Sequence, residues 1–360
     1  MDKKYFGLIL AGGQGTRFWP WSTEDYPKQF LDIIGDEPLI TQTYNRLKMF
    51  IPAENIYIVA ELRYLGHIVD AIPGFSQRNF ITEPMARNTA PSMILANIYL
   101  SRINPEANVI VVPADHYIPD TEEFAAQMRN ALDFADNKCI VTCGIKPNMP
   151  HTGYGYIQFN ESKPSMSGKM EYFDLIEFKE KPKLEVAEKY LREGNYYWNS
   201  GMFVYKLSHF KEFLGEYDPE YFIQYNELVK VFHSKLAFYE LFSTMRKDSI
   251  DYALLEKMTE VKMFKSEFTW NDLGAWSTVY ELNPKEAHDN VSRGLNNVFI
   301  DSFDSMIFST QDKPIALIGL KNVAVIDTPN GVLVANMDQL QRVKEALNAL
   351  KARNPQPEDE

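Results

Sequence analysis

The feature that most constrains the fold is a glycine-rich turn directly behind an apolar run near the start of the chain. Residues 5–10 form the run, and Gly12, Gly13 and Gly15 follow it at once. Glycine adopts backbone conformations that are closed to other residues, and it lets main-chain N–H groups approach an anion closely. The pattern predicts a buried first strand with a sharp turn at its carboxyl end, where open α/β sheets bind their ligands.

Short apolar runs alternate with segments of helical periodicity through about residue 285. The strand-like runs cover residues 5–10, 56–60, 109–112 and 139–144. Apolar residues at helical spacing cover 90–103 and 184–193, and a further helix is expected after Asp120, which forms a capping pattern with Glu123. This alternation predicts an α/β fold with a Rossmann-like, mostly parallel sheet over residues 1–288.

After Asn290 the sequence pattern changes to short strand-like apolar runs at close spacing. They are expected at residues 298–301, 306–308, 315–320, 323–326 and 332–335. A helical stripe follows at 340–350, and the charged tail at 355–360 is expected to be frayed. Residues 289–360 are therefore predicted to form a small β-rich domain with a terminal helix.

Composition limits the partners. The net charge is −12, so the chain has no general attraction for nucleic acid or anionic lipid, and polyanionic ligands would need placed Arg and Lys residues and a metal ion. No apolar run approaches a membrane span, and no secretory signal is apparent. Cys139 and Cys143 share one apolar run, which favours buried thiols and a cytoplasmic protein.

The glycine-rich turn resembles an anion cradle. Its sequence from Leu10 and Ala11 to Thr16 and Arg17 is followed by Lys28, so main-chain donors are joined by two positive charges. The turn lacks the Gly-Lys-Ser/Thr ending of a Walker A loop and the third glycine of the dinucleotide fingerprint. Kinases and dehydrogenases are therefore disfavoured.

These residues resemble the signature of the sugar-nucleotide pyrophosphorylases, Leu-Ala-Gly-Gly-x-Gly-Thr-Arg followed by Pro-Lys. The version found here, with Phe-Trp-Pro-Trp-Ser at 18–22 and Pro-Lys-Gln-Phe at 27–30, is similar to the mannose-1-phosphate guanylyltransferases. Further matches follow in order: Glu-Pro-x-x-Arg-Asn-Thr-Ala-Pro at 83–91, Pro-Ala-Asp-His at 113–116, Phe-Lys-Glu-Lys-Pro at 178–182, Trp-Asn-Ser-Gly at 198–201 and Asn-Asp-Leu-Gly at 271–274.

The resemblance implies a catalytic nucleotidyltransferase domain over 1–288 and a β-helix-like domain over 289–360 that forms homodimers. The implied reaction joins GTP and mannose 1-phosphate into GDP-mannose and pyrophosphate. A phosphate oxygen of the sugar attacks the α-phosphorus in line, so catalysis is positioning and charge neutralisation. These come from Arg17, Lys28 and main-chain donors, and from a metal ion held by Asp115 and Asp272. The attacking phosphate is already ionised, so His116 is not expected to act as a general base.

The resemblance also assigns the nucleotide and metal sites. Asp115 and Asp272 would hold Mg²⁺, which takes a few protein oxygens and completes its shell with water and phosphate. From the residues alone, an Asp in a turn is more often a turn former. Glu83 is the candidate guanine reader, since a carboxylate accepts from both N1–H and N2–H. The predicted nucleotide-binding residues are Leu10, Ala11, Gly12, Gly13, Gly15, Thr16, Glu83, Asn88 and Asp115.

The predicted sugar-phosphate site consists of Gly155, Glu180, Lys181 and Asn199. A carboxylate accepts from two sugar hydroxyls while the neighbouring ammonium meets the phosphate. Without the resemblance, the Glu180–Lys181 pair would be taken for a solvated surface feature. Asp251 also matches the family, but no role is assigned to it.

Other functions stay open at this stage. A related pyrophosphorylase with another base or sugar would share most of these residues, although the 83–91 segment favours guanylyl transfer. A non-catalytic sugar-nucleotide sensor would not need the whole set of charged residues. In the β-rich domain, the stripes at Val298 and Phe299, at Ile315 and Leu317, and along 340–350 are expected to pack partly on the catalytic domain and partly across a two-fold interface.

Overall fold

The computed structural model describes residues 4–13 and 15–353, and the chain divides into two compact units. The first unit comprises Met1–Gly12, Thr43–Ala114 and Ile118–Trp270. The second comprises Gly13–Gln42, Asp115–Tyr117 and Asn271–Glu360. Gln14 of the glycine-rich turn and the tail at 355–360, which was expected to be frayed, lie outside the described residues.

One mixed sheet with helices forms the described part of the first unit. Its strands are β1 (Tyr5–Leu10), β2 (Ile56–Glu61), β3 (Phe80–Glu83), β4 (Asn108–Pro113), β5 (Ile140–Ile145), β6 (Tyr156–Phe159), β7 (Ser165–Ser167), β8 (Met170–Lys179), β9 (Tyr196–Lys206) and β10 (Val261–Lys265). The helices are α1 (Leu39–Lys48), whose first residues belong to the second unit, α2 (Leu65–Ala71), α3 (Thr89–Ser101), α4 (Thr121–Phe134), α5 (Leu184–Glu193), α6 (Leu207–Tyr217), α7 (Pro219–Val231) and α8 (Lys235–Ser243).

The strand order is β3-β2-β1-β4-β9-β5-β10-β8-β6, with β7 beside β8. The α/β class is confirmed, and β1 to β4 are parallel as predicted. The remaining strands are mixed in direction and depart from the mostly parallel prediction. The strand β10 is parallel to β5, but β9 lies antiparallel to β4 and β5, and β8 antiparallel to β10. Apolar periodicity reports which face of a strand is buried and carries no information about its direction.

Two helices of this unit were predicted closely. The helix α3 is buried over nearly its whole length, as expected for a helix that is apolar on all sides. The helix α4 begins at Thr121 as predicted, but the capping pattern is wrong in detail. The Asp120 side chain makes no cap hydrogen bond and accepts instead from the Thr269 N–H at 2.7 Å.

The β-rich end of the second unit is a parallel coil. It contains α9 (Trp276–Leu282), β11 (Val291–Arg293), β12 (Val298–Ile300), β13 (Met306–Ser309), β14 (Ala316–Ile318), β15 (Val323–Thr328), β16 (Gly331–Asn336) and α10 (Val343–Arg353). Odd strands β11, β13 and β15 pair in parallel in one sheet, and β12 pairs in parallel with β14 in another. The chain alternates between the two sheets, so the predicted β-helix-like architecture is confirmed.

Trp276 is the centre of the second unit's core. It is fully buried and contacts Phe18 and Phe308, with ring centroids 5.3 and 4.9 Å away. Its Nε1 donates to the Trp19 carbonyl at 3.1 Å. Residues from the segment after the glycine-rich turn and from the β-rich end thus share one apolar core.

Two further observations concern membrane-spanning helices and the two cysteines. Across residues 4–13 and 15–353, no helix combines the length and the apolar character needed to cross a membrane. Cys139 and Cys143 are buried, unpaired thiols, as predicted, and burial raises the pKa of Cys139 to about 12.

Trp276→Ala is expected to lower the free energy of unfolding by about 3–5 kcal/mol, because it removes a large buried side chain and leaves a cavity. Chemical denaturation followed by circular dichroism measures the change. Phe303→Ala is the matched control in the same unit, since Phe303 is 42% exposed and should cost less than about 1 kcal/mol. Equal losses in the two variants would contradict the central role of Trp276.

Candidate functional site

The best-organised polar site in the second unit is built around Lys28. This residue begins the short helical turn Lys28–Phe30, and its side chain is only 8% exposed. Its Nζ lies 2.8 Å from Asp115 Oδ2, 2.7 Å from the Asp272 carbonyl and 3.1 Å from the Leu273 carbonyl. An ammonium has three N–H donors, so all of them are matched to protein acceptors.

The backbone brings the two acidic segments together. Tyr117 and Asn271 exchange two main-chain hydrogen bonds of 2.9 and 3.0 Å, which places the chain after Asp115 beside the chain before Asp272. The Asn271 side chain accepts from the Leu273 N–H at 2.7 Å, and Leu273 has a φ of 47°. This local turn fixes the carbonyls that Lys28 binds, as Asn side chains commonly do in turns.

These residues line a cleft of about 320 Å³. The lining residues are Gly15, Thr16, Arg17, Phe18, Lys28, Asp115, His116, Asp272, Leu273 and Gly274. Arg17 is exposed and donates from Nη1 to the Gly274 carbonyl at 3.3 Å. The structure therefore brings together all four predicted catalytic residues, with two carboxylates and two cations facing one small space.

Asp115 is held in its ionised form. Burial acts to raise the pKa of its carboxyl, but the charges of Lys28 and His116 and the hydrogen bond from Lys28 outweigh burial and hold the pKa below its usual range. His116 thus affects Asp115 electrostatically, and the expectation that it is no general base stays a prediction. A carboxylate that stays ionised is suited to an electrophile or a cation.

The donor set in this cleft fits Mg²⁺ rather than a softer metal. Two carboxylates line it, and Mg²⁺ is commonly held by one or two carboxylates together with phosphate oxygens and water. Within the part of the chain that the structure describes, no group of three or more His, Cys, Asp or Glu side chains could hold a metal by itself. A zinc-like site of closed protein ligands is therefore not indicated among these residues.

Gly15 is required by the close packing against Lys28. It has a φ of 58°, in the left-handed region. A Cβ at this position would lie 2.4 Å from Lys28 Cβ and 2.8 Å from its backbone nitrogen. Gly13, in contrast, has open space around the position of a Cβ. The turn therefore needs its third glycine to admit Lys28.

The remaining predicted nucleotide residues lie in the first unit. Leu10, Ala11 and Gly12 end or follow β1, and a Cβ on Gly12 would be 3.5 Å from Glu83 Oε2 at the end of β3. Glu83 is 3% exposed and accepts from the Ser92 hydroxyl at 2.5 Å. Burial raises the pKa of Glu83 to about 7, against a smaller lowering by Ser92. Its protonation is thus balanced near neutrality.

Asn88 acts as a helix cap in this structure. Its Oδ1 accepts from the Thr89 N–H at 2.8 Å, at the start of α3, and its φ is 70°. Arg87 donates to the carbonyls of Ser243 and Met245, which fixes the segment between β3 and α3. Asn88 itself is exposed, so a ligand can reach its side chain.

The four predicted sugar-phosphate residues are neighbours in the first unit. A Cβ on Gly155 would lie 2.5 Å from Glu180 Oε2 and 3.5 Å from Asn199 Cβ, and the Asn199 N–H donates to the Gly155 carbonyl at 2.8 Å. Lys181 forms an ion pair with Glu180, whose side chain is 9% exposed. Glu180 is therefore largely buried beside Gly155, whereas the Lys181 side chain is 58% exposed and stays in contact with solvent.

Two polar residues of these clusters escaped the sequence interpretation, and a third, Asp251, had no role assigned to it. Thr142 bonds Asn199, Ser92 bonds Glu83, and Asp251 accepts from Asn199. Thr142 carried a usable signal, because it is a hydroxyl in an otherwise apolar strand. Ser92 and Asp251 lie in helical segments where nothing in the spacing distinguishes them from ordinary polar positions.

Comparisons with known proteins agree with this geometry. The sequence profile of the Nucleotidyl transferase family matches residues 6–289, and that of the MannoseP isomerase/GMP-like beta-helix domain matches residues 295–350. The chain is 33% identical over 366 residues to a mannose-1-phosphate guanylyltransferase of Escherichia coli, covering 98% of this chain and 74% of the relative. It is also 33% identical to one of Klebsiella pneumoniae over 357 residues, covering 96% and 73%.

A solved structure is similar over nearly its whole length. It is a Thermus thermophilus protein described as a mannose-1-phosphate geranyltransferase, with a TM-score of 0.85 and 27% identity. The match covers 97% of this chain and 99% of that one.

Gly15→Ala is expected to destabilise the protein by about 2 kcal/mol or more, because a Cβ there forces a left-handed alanine and displaces Lys28. Gly13→Ala is the matched control and should change the free energy of unfolding by less than about 1 kcal/mol, since nothing lies near its Cβ. Denaturant unfolding of both variants measures the difference. A Gly15→Ala protein as stable as Gly13→Ala would show that Lys28 is not packed as described.

Proposed function

We propose that this chain, which belongs to the Nucleotidyl transferase family and within it to the mannose-1-phosphate guanylyltransferases, transfers GMP from GTP to α-D-mannose 1-phosphate and so produces GDP-mannose and pyrophosphate. The observation that carries the proposal is the cleft in which Arg17, Lys28, Asp115 and Asp272 meet. The family relatives, at 33% identity over nearly the whole chain, support the choice of base and sugar.

The reaction needs no covalent intermediate and no general base. An ionised phosphate oxygen of the sugar displaces pyrophosphate from the α-phosphorus in line, so one P–O bond forms and one breaks. The enzyme's contribution is to hold two anions together and to neutralise their charge. The cleft chemistry supports this division, because cations and carboxylates line the same small space.

We infer that Asp115 and Asp272 hold Mg²⁺ in this cleft. When bound, the ion neutralises charge on the phosphate oxygens of the nucleotide. The contribution of this chain is to keep Asp115 ionised through Lys28, and to fix the turn that carries Asp272 through its two carbonyl contacts with the same ammonium. Both carboxylates are then available as hard oxygen ligands.

The two cations have different parts in this scheme. Lys28 is buried and its three donors are matched, so it organises the cleft and contributes its charge at a fixed position. Arg17 is exposed, and a guanidinium carries five N–H donors, of which one reaches the Gly274 carbonyl. We assign Arg17 to the phosphate oxygens of the nucleotide, together with the main-chain N–H groups of Gly12, Gly13, Gly15 and Thr16.

The base and the sugar are assigned to the clusters of the first unit. Glu83, with Asn88 nearby, is proposed to accept from the N1–H and N2–H of guanine. Glu180 is proposed to accept from sugar hydroxyls, and Lys181 to meet the sugar phosphate, with Asn199 and the backbone of Gly155 beside them. The close approach of Gly155 to Glu180 supports a shaped pocket at this point.

Pyrophosphate release from the purified protein tests the reaction directly. Each nucleoside triphosphate is incubated with mannose 1-phosphate or glucose 1-phosphate in the presence of Mg²⁺. GTP with mannose 1-phosphate should give the highest kcat/KM. A preference for another pair would make the chain a related pyrophosphorylase, and no release with any pair would make it a binding protein without turnover.

We also infer a cytoplasmic enzyme that forms homodimers through its β-rich end. The buried free thiols support a reducing compartment. On β12 and β14, Val298 pairs with Ala316 and Ile300 with Ile318, and these four residues are all exposed on the strand pair. Leu317, Leu340 and Val343 are buried within the unit instead, so the apolar stripes divide between an inner core and an outer face.

Asp115→Asn and Asp272→Asn are each expected to keep the fold and reduce kcat/KM at least about a hundredfold, because one metal-bound negative charge is lost while the side-chain shape is kept. Mg²⁺ titration of pyrophosphate release measures the effect. Asp301→Asn, at an exposed position of the same unit, is the control. Wild-type activity at equal Mg²⁺ would remove the altered residue from the metal site.

Glu83→Gln is expected to reduce the GTP to ATP ratio of kcat/KM about tenfold or more at pH 8, since an amide donor would face a guanine donor. Because burial raises the pKa of Glu83 to about 7, the wild-type ratio should fall between pH 8 and pH 6 as the carboxylate is protonated. The ratio of the variant should stay flat. Glu106→Gln, a surface substitution, is the control, and an unchanged ratio in Glu83→Gln would assign base recognition elsewhere.

Ile300→Lys combined with Ile318→Lys should convert the dimer to a monomer, because two charges from each protomer would be buried across the interface. Light scattering measures the mass. Val334→Lys on β16 is the control, because Val334 is 65% exposed and lies outside the proposed face. A monomeric wild type, or a dimer that survives both lysines, would contradict this assignment.

A further inference from the structure

The side-chain amide of Asn199 has a fixed orientation. Its oxygen accepts from the Thr142 hydroxyl at 3.1 Å and from the Gly201 N–H at 3.3 Å. The nitrogen end therefore points the other way, where it donates to Asp251 Oδ1 at 3.0 Å. An amide held at both ends cannot flip, so its second N–H hydrogen has one defined direction.

Asp251 comes from a distant part of the chain. It begins the π-helical turn Asp251–Leu255, which follows α8 and is otherwise apolar on its inner side. Turns of this kind are rare and often occur at functional sites. The turn packs its Ala253, Leu254 and Leu255 into the core, so the position of the Asp251 carboxylate is set by the fold rather than by solvent.

Several charged groups surround this carboxylate. Burial and the negative charge of Glu180 raise the pKa of Asp251 to about 7, against a smaller lowering by Lys181 and by the Ser249 hydroxyl. Tyr252 also interacts with it electrostatically. A buried carboxylate beside a second one is costly for stability, and a purely structural partner for Asn199 would not need a charge at this point.

We propose that Asp251 is a positioning residue for the sugar: its ionised carboxylate holds the amide of Asn199 so that an N–H donor stands beside the Glu180 acceptor at Gly155. The inference rests on the proposed function, since it takes these residues as the sugar site. Adjacent hydroxyls of a pyranose each donate and accept one hydrogen bond. A fixed donor next to a carboxylate matches such a pair and leaves neither group unsatisfied.

The role implies a pH dependence of sugar binding. The hydrogen bond between Asn199 and Asp251 is charge-assisted above pH 7 and becomes an ordinary one when the carboxyl is protonated. The difference between the two corresponds to about tenfold in affinity. Sugar binding should therefore weaken as the pH falls from 8 to 6, with its midpoint near the raised pKa of Asp251.

The test compares GDP-mannose with GDP by titration calorimetry. GDP-mannose carries the sugar, and its diphosphate diester does not change ionisation between pH 6 and 8, whereas GDP omits the sugar and reports the nucleotide alone. Asp251→Asn should weaken GDP-mannose about tenfold at pH 8 and less than about twofold at pH 6. The affinity for GDP should be the same in the variant and the wild type at each pH.

Two further variants keep the inference falsifiable. Asp248→Asn, the same change three residues earlier, should behave as wild type. In the Asn199→Ala protein, adding Asp251→Asn should change the affinity for GDP-mannose no further at pH 8 or at pH 6, because Asp251 acts through Asn199. The inference would be overturned if the ratio of the GDP-mannose affinities of the wild type and Asp251→Asn were constant from pH 6 to 8. An equal loss of GDP affinity in Asp251→Asn, or additive effects of Asp251→Asn and Asn199→Ala, would also overturn it.

Failure of the proposed function would look different. If the wild type releases no pyrophosphate but binds GDP-mannose with the expected pH profile, the positioning role stands and the catalytic assignment fails. If turnover is normal but the ratio of the GDP-mannose affinities of the wild type and Asp251→Asn does not change with pH, the catalytic assignment stands and the positioning role fails. A wild type that binds GDP-mannose no better than GDP at pH 8 overturns the positioning role.

Discussion

The candidate active site depends on one buried ammonium. Lys28 gives all three of its donors to the protein, one to the carboxylate of Asp115 and two to the carbonyls of the turn that carries Asp272. A chain with a net charge of −12 has no general attraction for phosphates, so it must place its positive charges individually. Lys28 does this at a fixed position, and Gly15 makes room for it by having no side chain.

Carboxylates in this protein occur in two opposite electrostatic settings. Asp115 is close to two cationic groups, and its pKa lies below the usual range despite burial. The pKa values of Glu83 and Asp251 are raised to about 7, because burial is not offset by a strong cation. The first setting suits a ligand for a hard metal ion. The second suits acceptors for N–H and O–H groups of a ligand, because hydrogen bonds from the ligand offset the cost of burying a carboxylate without a strong cation.

Much of this could be predicted from the sequence. The first strand, the glycine-rich turn, α3 and the β-rich end follow from local periodicity and turn chemistry, and the charged residues of both clusters were identified by their motifs. The directions of β8 and β9 could not be predicted, because they depend on which strands each one lies between in the sheet, and local periodicity does not specify those neighbours. The burial of Lys28 was also missed, since its partners at 115 and 272–273 are distant in sequence. Asp251 had no assigned role because its partner Asn199 lies on β9, 52 residues earlier in the sequence.

The most direct test of Lys28 as the organising residue is pyrophosphate release by Lys28→Met, which keeps the length of the side chain and removes its charge and donors. If Lys28 keeps Asp115 ionised and fixes the turn at 272–274, kcat/KM with GTP and mannose 1-phosphate should fall about a hundredfold or more at saturating Mg²⁺. The circular dichroism spectrum of the whole protein should be retained. A folded Lys28→Met protein within about threefold of the wild-type rate would contradict this organising role.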